Sequence, residues 1–163
     1  MSDWVPIMIK SGAAMGSIPR RNEQLTWLPT DVAAKALLEL DSSGSSNAVR
    51  HIVQTKTVSW NSIIEVIASR LNLQTISSQE WISALEREAA AGMEDAKSDV
   101  VRKIPAIKLL PFFKSVLGSS SKPTSLDCTH SLQESISLRD AALLGEDDSN
   151  QWISFWSSKK LFH

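Results

Sequence analysis

Tyrosine is absent from this sequence of 163 residues, and cysteine occurs once, as Cys128. A single cysteine excludes an internal disulfide and favours a reducing compartment. No run approaches the ~18–20 apolar residues that cross a bilayer, and the first residues lack the pattern of a secretory signal. These absences predict a soluble cytoplasmic protein with no membrane partner.

An excess of charge of either sign is also lacking, because 17 Lys and Arg residues oppose 18 Asp and Glu residues for a net charge of −1. The longest basic runs are two residues long, such as Arg20 with Arg21 and Lys159 with Lys160. Nucleic-acid binding requires clustered positive charge that attracts phosphates. We therefore expect no nucleic-acid partner.

Residues with catalytic or metal-binding chemistry are few. Asp127, Cys128 and His130 are neighbours in DCTH, but a catalytic pair is defined by hydrogen bonding in three dimensions and not by adjacency. The His and Cys residues show no pair at the standard spacing of zinc ligands. Gly12 and Gly16 follow no predicted strand, so they do not form the strand, glycine turn and helix that bind a dinucleotide. The residues alone predict no catalytic, metal or cofactor site.

Apolar periodicity predicts a mostly helical chain with a few short strands. The strongest helix carries Trp60, Ile63, Ile64, Ile67 and Leu71 on one face. Other helices are predicted after Pro6, over 30–40, from residue 80, in short pieces over 99–117, and around 152–156, and strands over 25–28, 49–53 and 73–76. The predicted helix caps are Thr30 or Asp31, Ser59, Ser77 with Glu80 as a capping box, and Asp148 or Ser149.

This order of elements predicts the α/β class, specifically the last units of an α/β sheet followed by a helical part. Residues 1–163 are interpreted as one partial domain, with the last α/β units over 1–89 and a helical subdomain over 90–163. Two or three short strands are too few for a good free-standing sheet. Either the chain is mainly helical, or the sheet to which it belongs lies elsewhere.

Six tryptophans are distributed along the chain. Four lie on helical apolar stripes or at helix starts, where core packing is the simplest interpretation. Trp4 and Trp27 lie instead in the proline-rich first segment, where they could line a pocket as well as a core.

Several motifs resemble the reductase domain of the extended short-chain dehydrogenase/reductase family, as found at the end of fungal adenylate-forming reductases and of related peptide and polyketide synthetases. They are Asp3-Trp4-Val5-Pro6, Ile18-Pro19 and the stretch from Trp27 to Ala34, followed by 51–71, 79–86 and 151–162. Their order makes the match specific, and it is loosest between Ala90 and Ser149. Lys160 departs from the pattern, because the family usually has Gly there.

The resemblance implies the C-terminal, mostly helical, substrate-binding portion of a Rossmann-type thioester reductase. Such an enzyme uses NADPH to release an acyl group from a carrier protein as an aldehyde or alcohol. Its glycine fingerprint and its Tyr-x-x-x-Lys pair have no counterpart in this sequence. Both are expected upstream of Asp3, so the start at Met1 is interpreted as a truncated gene or the boundary of a fragment. The chain alone is expected neither to be catalytic nor to bind NADPH.

In the family, this portion shapes the acyl pocket and helps to receive the phosphopantetheine arm of the acyl carrier protein. The resemblance therefore implies that Trp4, Ile7, Met8 and Pro19 border the substrate. The partners expected are a carrier protein and the N-terminal half of the reductase. The alternative is a non-enzymatic helical module, or a decayed paralogue, that docks a carrier protein or another subunit.

Overall fold

The structure is a computed structural model that describes residues 3–42, 49–94, 98–118 and 126–162. The described residues form two compact units. The first unit consists of 3–23, 60–94, 98–118 and 145–162, and the second of 24–42, 49–59 and 126–144. In the described part of the chain, helices predominate and strands are short. No described helix is long and apolar enough to cross a bilayer.

The first unit contains two strands and six α-helices among its described residues. They are α1 (Trp4–Met15), β1 (Ser17–Arg20), α3 (Trp60–Leu71), β4 (Gln74–Ser77), α4 (Ser78–Glu94), α5 (Ser98–Lys103), a 3-10 helix (Pro105–Leu109), α6 (Leu110–Gly118) and α9 (Glu146–Ser158). β1 and β4 pair in parallel, with Ser17 opposite Gln74 and Arg20 opposite Ser77.

The core of the first unit lies where α1, α3 and α4 pack around β1. Its fully buried side chains include Met8, Ile9, Ile18, Trp60, Ile64, Ile67, Trp81, Leu85 and Phe113. The helix predicted from Trp60 to Leu71 is confirmed, with its apolar face buried as expected. Hydrophobic burial of this face is the main source of its stability, because isolated helices of this length are marginal in water.

The second unit contains two very short strands and three α-helices among its described residues. They are β2 (Gln24–Leu25), α2 (Thr30–Ser42), β3 (Val58–Ser59), α7 (Thr129–Glu134) and α8 (Ile136–Arg139). β2 and β3 pair antiparallel over two residues each. α2 packs against α7 and α8.

The strand predictions are only partly correct. The strand over 73–76 is confirmed with a shift of one residue, but the strand over 25–28 shortens to Gln24–Leu25. The strand predicted over 49–53 is wrong, because this segment has no regular structure. It is held instead by side chains: Arg50 forms a 2.7 Å ion pair with Glu134, and Gln54 Nε2 donates to Ala142 O at 3.0 Å. β-Branched residues alone therefore do not form a strand when no neighbouring strand forms hydrogen bonds with their backbone.

The first helix is longer than expected, because α1 continues through Gly12 to Met15. Gly12 allows close packing of α1 on β1, since a Cβ at this position would lie 2.8 Å from Ser17 O. Gly16 then ends the helix with a left-handed φ of 73°. β1 follows directly, and the sequence pattern did not predict it.

The predicted helix caps have mixed outcomes. The capping box of Ser77 and Glu80 is confirmed. α9 begins at Glu146, so Asp148 and Ser149 are not its caps, although the Gly145 N–H donates to Asp148 Oδ2 at 2.8 Å. The helix predicted over 30–40 is confirmed and extends to Ser42. The division at residues 89 and 90 stays a prediction.

Candidate functional site

A groove of about 540 Å3 runs along β4 and reaches the carboxyl ends of the parallel strands β1 and β4. In α/β sheets, ligands bind outside the carboxyl ends of the strands, because loops there can present polar groups. The groove is lined by Arg20, Arg21, Asn22, Asn61, Gln74, Thr75, Ile76, Ser77 and Glu80. This polar groove is the candidate site of the first unit.

Arg21 lines the groove and is fixed in place by contacts with the rest of the first unit. Its backbone N–H donates to Asn61 Oδ1 at 2.9 Å, and Nη2 donates to Val116 O at 2.6 Å. The guanidinium forms a 2.7 Å ion pair with Glu23 and lies 5.5 Å from the centre of the Trp60 ring. Burial lowers the pKa of Arg21 from its usual value, and Glu23 opposes this effect. Because Nη1 contacts Glu23 and Nη2 contacts Val116 O, the guanidinium of Arg21 is held by the protein and is not a free ligand for a substrate.

The other charged groups of the groove also have partners. Arg20 forms an exposed ion pair with Glu65. Glu80 Oε2 accepts the Ser77 N–H at 2.9 Å, and the Glu80 N–H donates to Ser77 Oγ at 3.2 Å. Hydrogen bonds from Ser77 lower the pKa of Glu80, so this carboxyl stays ionised near neutral pH. These pairings favour a binding role over acid–base catalysis for the groove.

The four residues that the resemblance assigns to substrate binding lie close together in the first unit. Trp4 and Ile7 are half-buried on α1, whereas Met8 and Pro19 are buried. Trp60 connects two of them: its ring stacks on Trp4 at 5.6 Å, and its Nε1 donates to Pro19 O at 3.0 Å. Trp4 and Ile7 therefore keep exposed surface that a ligand can reach, Met8 and Pro19 do not, and none of the four lines the groove.

Sequence reasoning missed Arg21 and Asn61 as groove residues, since no local motif marks them. Ser77 and Glu80 were identified for their capping pattern alone, and that pattern also predicts which side chains stand at the end of β4. Trp27, the other tryptophan considered for a pocket, is half-buried in the second unit.

The remaining chemically reactive residues do not form a centre in the described part of the chain. Cys128 is buried, and Asp127 Oδ1 accepts the Thr129 N–H at 2.9 Å at the start of α7. That hydrogen bond is the main reason for the lowered pKa of Asp127. No group of three His, Cys, Asp or Glu residues suited to a metal occurs among the described residues, which exclude His163.

The described residues form a mostly helical protein with a few short strands, and the parallel pair β1–β4 is compatible with the α/β class. Over 99% of its length the chain is 26% identical to adenylate-forming reductase Nps10 of Heterobasidion annosum and 28% identical to Nps11 of Serpula lacrymans. Over 96% it is 29% identical to the non-canonical non-ribosomal peptide synthetase ascB of Acremonium egyptiacum. The resemblance to fungal adenylate-forming reductases and related synthetases is therefore confirmed.

The chain spans only a small part of the length of the curated relatives it matches, 16% of Nps10 and 14% of ascB. No protein-family model matches the chain. No solved structure matches it either.

Proposed function

We propose that the chain is the C-terminal, substrate-binding part of an NADPH-dependent thioester reductase of the extended short-chain dehydrogenase/reductase fold. The observation that carries this proposal is the similarity to adenylate-forming reductases over nearly the whole chain. The parallel pair β1–β4, with a polar groove at its carboxyl ends, supports it, because that is where α/β enzymes bind ligands.

In this role the chain binds and orients the acyl group and leaves hydride transfer to other residues. The sequence contains no tyrosine, so the tyrosine that supplies a proton in the family must come from outside it. NADPH, when bound, supplies the hydride that reduces the thioester carbonyl. Trp4 and Ile7 offer half-buried apolar surface that can border an acyl chain, and Met8 and Pro19 lie buried in the core of the same unit. The partners proposed are an acyl carrier protein and the N-terminal half of the reductase, in a reducing cytoplasmic location.

A chimera tests this function. The chain replaces the aligned segment of the Heterobasidion annosum reductase, and NADPH oxidation is measured with an acyl thioester as substrate. The chimera is expected to oxidise NADPH. The relative from which this segment has been deleted is expected to show no NADPH oxidation. A folded chimera without activity, or full activity in the shortened relative, would contradict the proposal and favour the interaction module.

Substrate contact is tested in the same chimera with Trp4→Ala, which is expected to raise KM for the thioester more than it lowers kcat. Phe155→Ala is the matched control, since Phe155 is 58% exposed on α9. Equal effects of the two substitutions on KM would show that Trp4 does not contact the substrate.

A further inference from the structure

A second cavity, of about 210 Å3, lies in the first unit and shares no residue with the groove at β1 and β4. Lys10, Arg102 and Lys103 surround it, and its apolar wall comes from Ala13, Ala14 and the end of the chain at Leu161 and Phe162. We call it the basic cavity. Its lining combines three basic side chains with apolar ones.

The sequence of α1 explains the depression itself. Lys10, Ala13 and Ala14 have the i, i+3, i+4 spacing of one helical face, so the two small side chains leave space beside the lysine. Arg102 and Lys103 come from the last turn of α5, which packs against α1.

The opposite wall depends on how α9 ends. The Leu161 N–H donates to Trp156 O at 3.0 Å, and the Lys160 N–H donates to Ser157 O at 2.9 Å. These two bonds form a Schellman motif with Lys160 in the left-handed conformation, at φ 56°. The motif turns the chain so that Leu161 and Phe162 reach the cavity.

The charge balance around the cavity is positive. Asp99 pairs with both Arg102, at 2.6 Å, and Lys103, at 2.8 Å, so one carboxylate is shared by two cations. Lys10 has no ion-pair partner among the described residues. Among the described residues that line the cavity or pair with its lining, three cations against one carboxylate leave an excess of two positive charges. In agreement, hydrogen bonds from Lys103 and Arg102 lower the pKa of Asp99.

We propose that the basic cavity binds a small amphipathic anion, a carboxylate or phosphate ester carrying a short apolar chain. Its anionic group pairs with Lys10 and with the cations at the end of α5, and its chain lies against Ala13, Ala14 and Phe162. The volume holds about seven waters at ~30 Å3 each. That is below the ~300 Å3 at which pockets for drug-sized ligands begin, so the ligand, or the part of it inside, is short. Binding here is independent of the proposed reductase role.

The test is calorimetric titration of the 163-residue chain with hexanoate, hexyl phosphate and hexanol at low ionic strength. Hexanoate, hexyl phosphate or both are expected to bind, and hexanol at least ~10-fold more weakly, a difference of about 1.4 kcal/mol. Preference for one anion identifies the anionic group, and added salt weakens binding by screening. Equal affinity for hexanol, or no binding of either anion, would overturn the proposal.

Two variants locate the site. Lys10→Met is expected to weaken anion binding at least ~5-fold, whereas Lys108→Met, which removes an exposed lysine of the same unit, leaves it unchanged. Ala13→Leu fills the cavity and is expected to abolish binding, and thermal unfolding followed by circular dichroism checks that each variant folds. Equal affinities for the Lys10 and Lys108 variants would place the ligand elsewhere and refute the site.

Discussion

At the scale of single residues, Gly12 suits the backbone conformation and surroundings of its position, whereas Lys160 does not. Gly12 occupies a position that only glycine fits, because of the Ser17 carbonyl beside it. Lys160 occupies a left-handed position that glycine would fit better. One residue is therefore matched to its conformation, and the other carries a conformational cost.

Gly12→Ala is expected to lower the free energy of unfolding by about 1–2 kcal/mol. Overpacking costs ~1–3 kcal/mol and exceeds the gain of up to ~1 kcal/mol in helix propensity. Urea unfolding measures the effect. Gly118→Ala is the control, because nothing lies within 4 Å of a Cβ there, and it is expected to change stability by less than ~0.5 kcal/mol. Equal stability of the two variants would show that α1 moves away from β1 at little cost.

Lys160→Gly is expected to raise the free energy of unfolding by about 0.5–1 kcal/mol. The left-handed conformation costs a lysine ~1–2 kcal/mol, and the greater freedom of glycine in the unfolded chain offsets part of the gain. Lys159→Gly is the matched control, since its φ of −87° is ordinary, and it is expected to destabilise. Thermal unfolding of both variants distinguishes them; destabilisation by Lys160→Gly would contradict the Schellman turn.

At the scale of elements, tryptophan side chains stabilise β1 on the edge opposite β4. Trp81 Nε1 donates to Ser17 O at 3.1 Å, and Trp60 Nε1 donates to Pro19 O at 3.0 Å. Ser17 and Pro19 alternate with Ile18, so they face the same edge of the strand. Proline has no N–H to donate to a neighbouring strand. Pro19 is tolerated because no strand pairs with β1 on this edge among the described residues. A strand of four residues is thus maintained without a second neighbouring strand.

Trp81→Phe is expected to destabilise the chain by about 1–3 kcal/mol, because Ser17 O loses the indole donor while it stays buried. Chemical denaturation measures the loss. Trp156→Phe is the control, since Trp156 is half-buried on α9 and packs against Trp152. A similar loss in both variants would mean that ring volume, and not the hydrogen bond to β1, sets the cost.

Glu39 joins α2 to the start of α8 in the second unit. Its Oε2 accepts from Ser135 Oγ at 2.5 Å and from the Ser137 N–H at 3.1 Å, and its Oε1 accepts from Ser137 Oγ at 2.7 Å. The hydrogen bonds from Ser135 and then Ser137 lower the pKa of Glu39. The folded unit therefore prefers the ionised carboxylate.

A pH-dependent stability follows from this preference. The Glu39 pKa is lower in the folded state than in the unfolded state, so its contribution is present above the unfolded pKa of ~4.3 and is lost as pH falls through the folded pKa. Urea midpoints measured between about pH 3 and pH 6 are expected to fall with decreasing pH. Glu39→Gln is expected to flatten this dependence, and Glu88→Gln, at an exposed position of α4, to leave it unchanged. An unchanged slope in the Glu39 variant would contradict the assignment.

At the scale of the whole molecule, apolar side chains of the second unit remain on its surface. Leu37 and Leu38 on α2 are 59% and 68% exposed, and Ile136 on α8 is 61% exposed. Because α2 packs against α8, these exposed side chains lie on neighbouring helices, and grouped apolar surface favours association. We therefore expect the chain to self-associate in solution as its concentration rises.

Leu38→Lys is expected to shift the chain toward the monomer in sedimentation velocity, because it places a charge in this apolar surface. Gln79→Lys adds the same charge at an exposed position of α4 and serves as the control. A wild-type chain that is monomeric at all concentrations would contradict the expectation.

The sequence by itself determined the helices with strong apolar periodicity, the capping box at Ser77 and the resemblance to adenylate-forming reductases. The helices and the capping box depend on residues close together in the chain, so local spacing is sufficient to identify them, and the resemblance depends on the order of short motifs along the chain. Only the tertiary structure decided that β1 is a strand, that 49–53 is not, and that Arg21 and Asn61 face one groove. Strand pairing and side-chain partners join residues far apart in sequence, such as Arg21 with Val116. A local sequence pattern does not show which distant residues come into contact. The packing of α1, α3 and α4 around β1 brings them together.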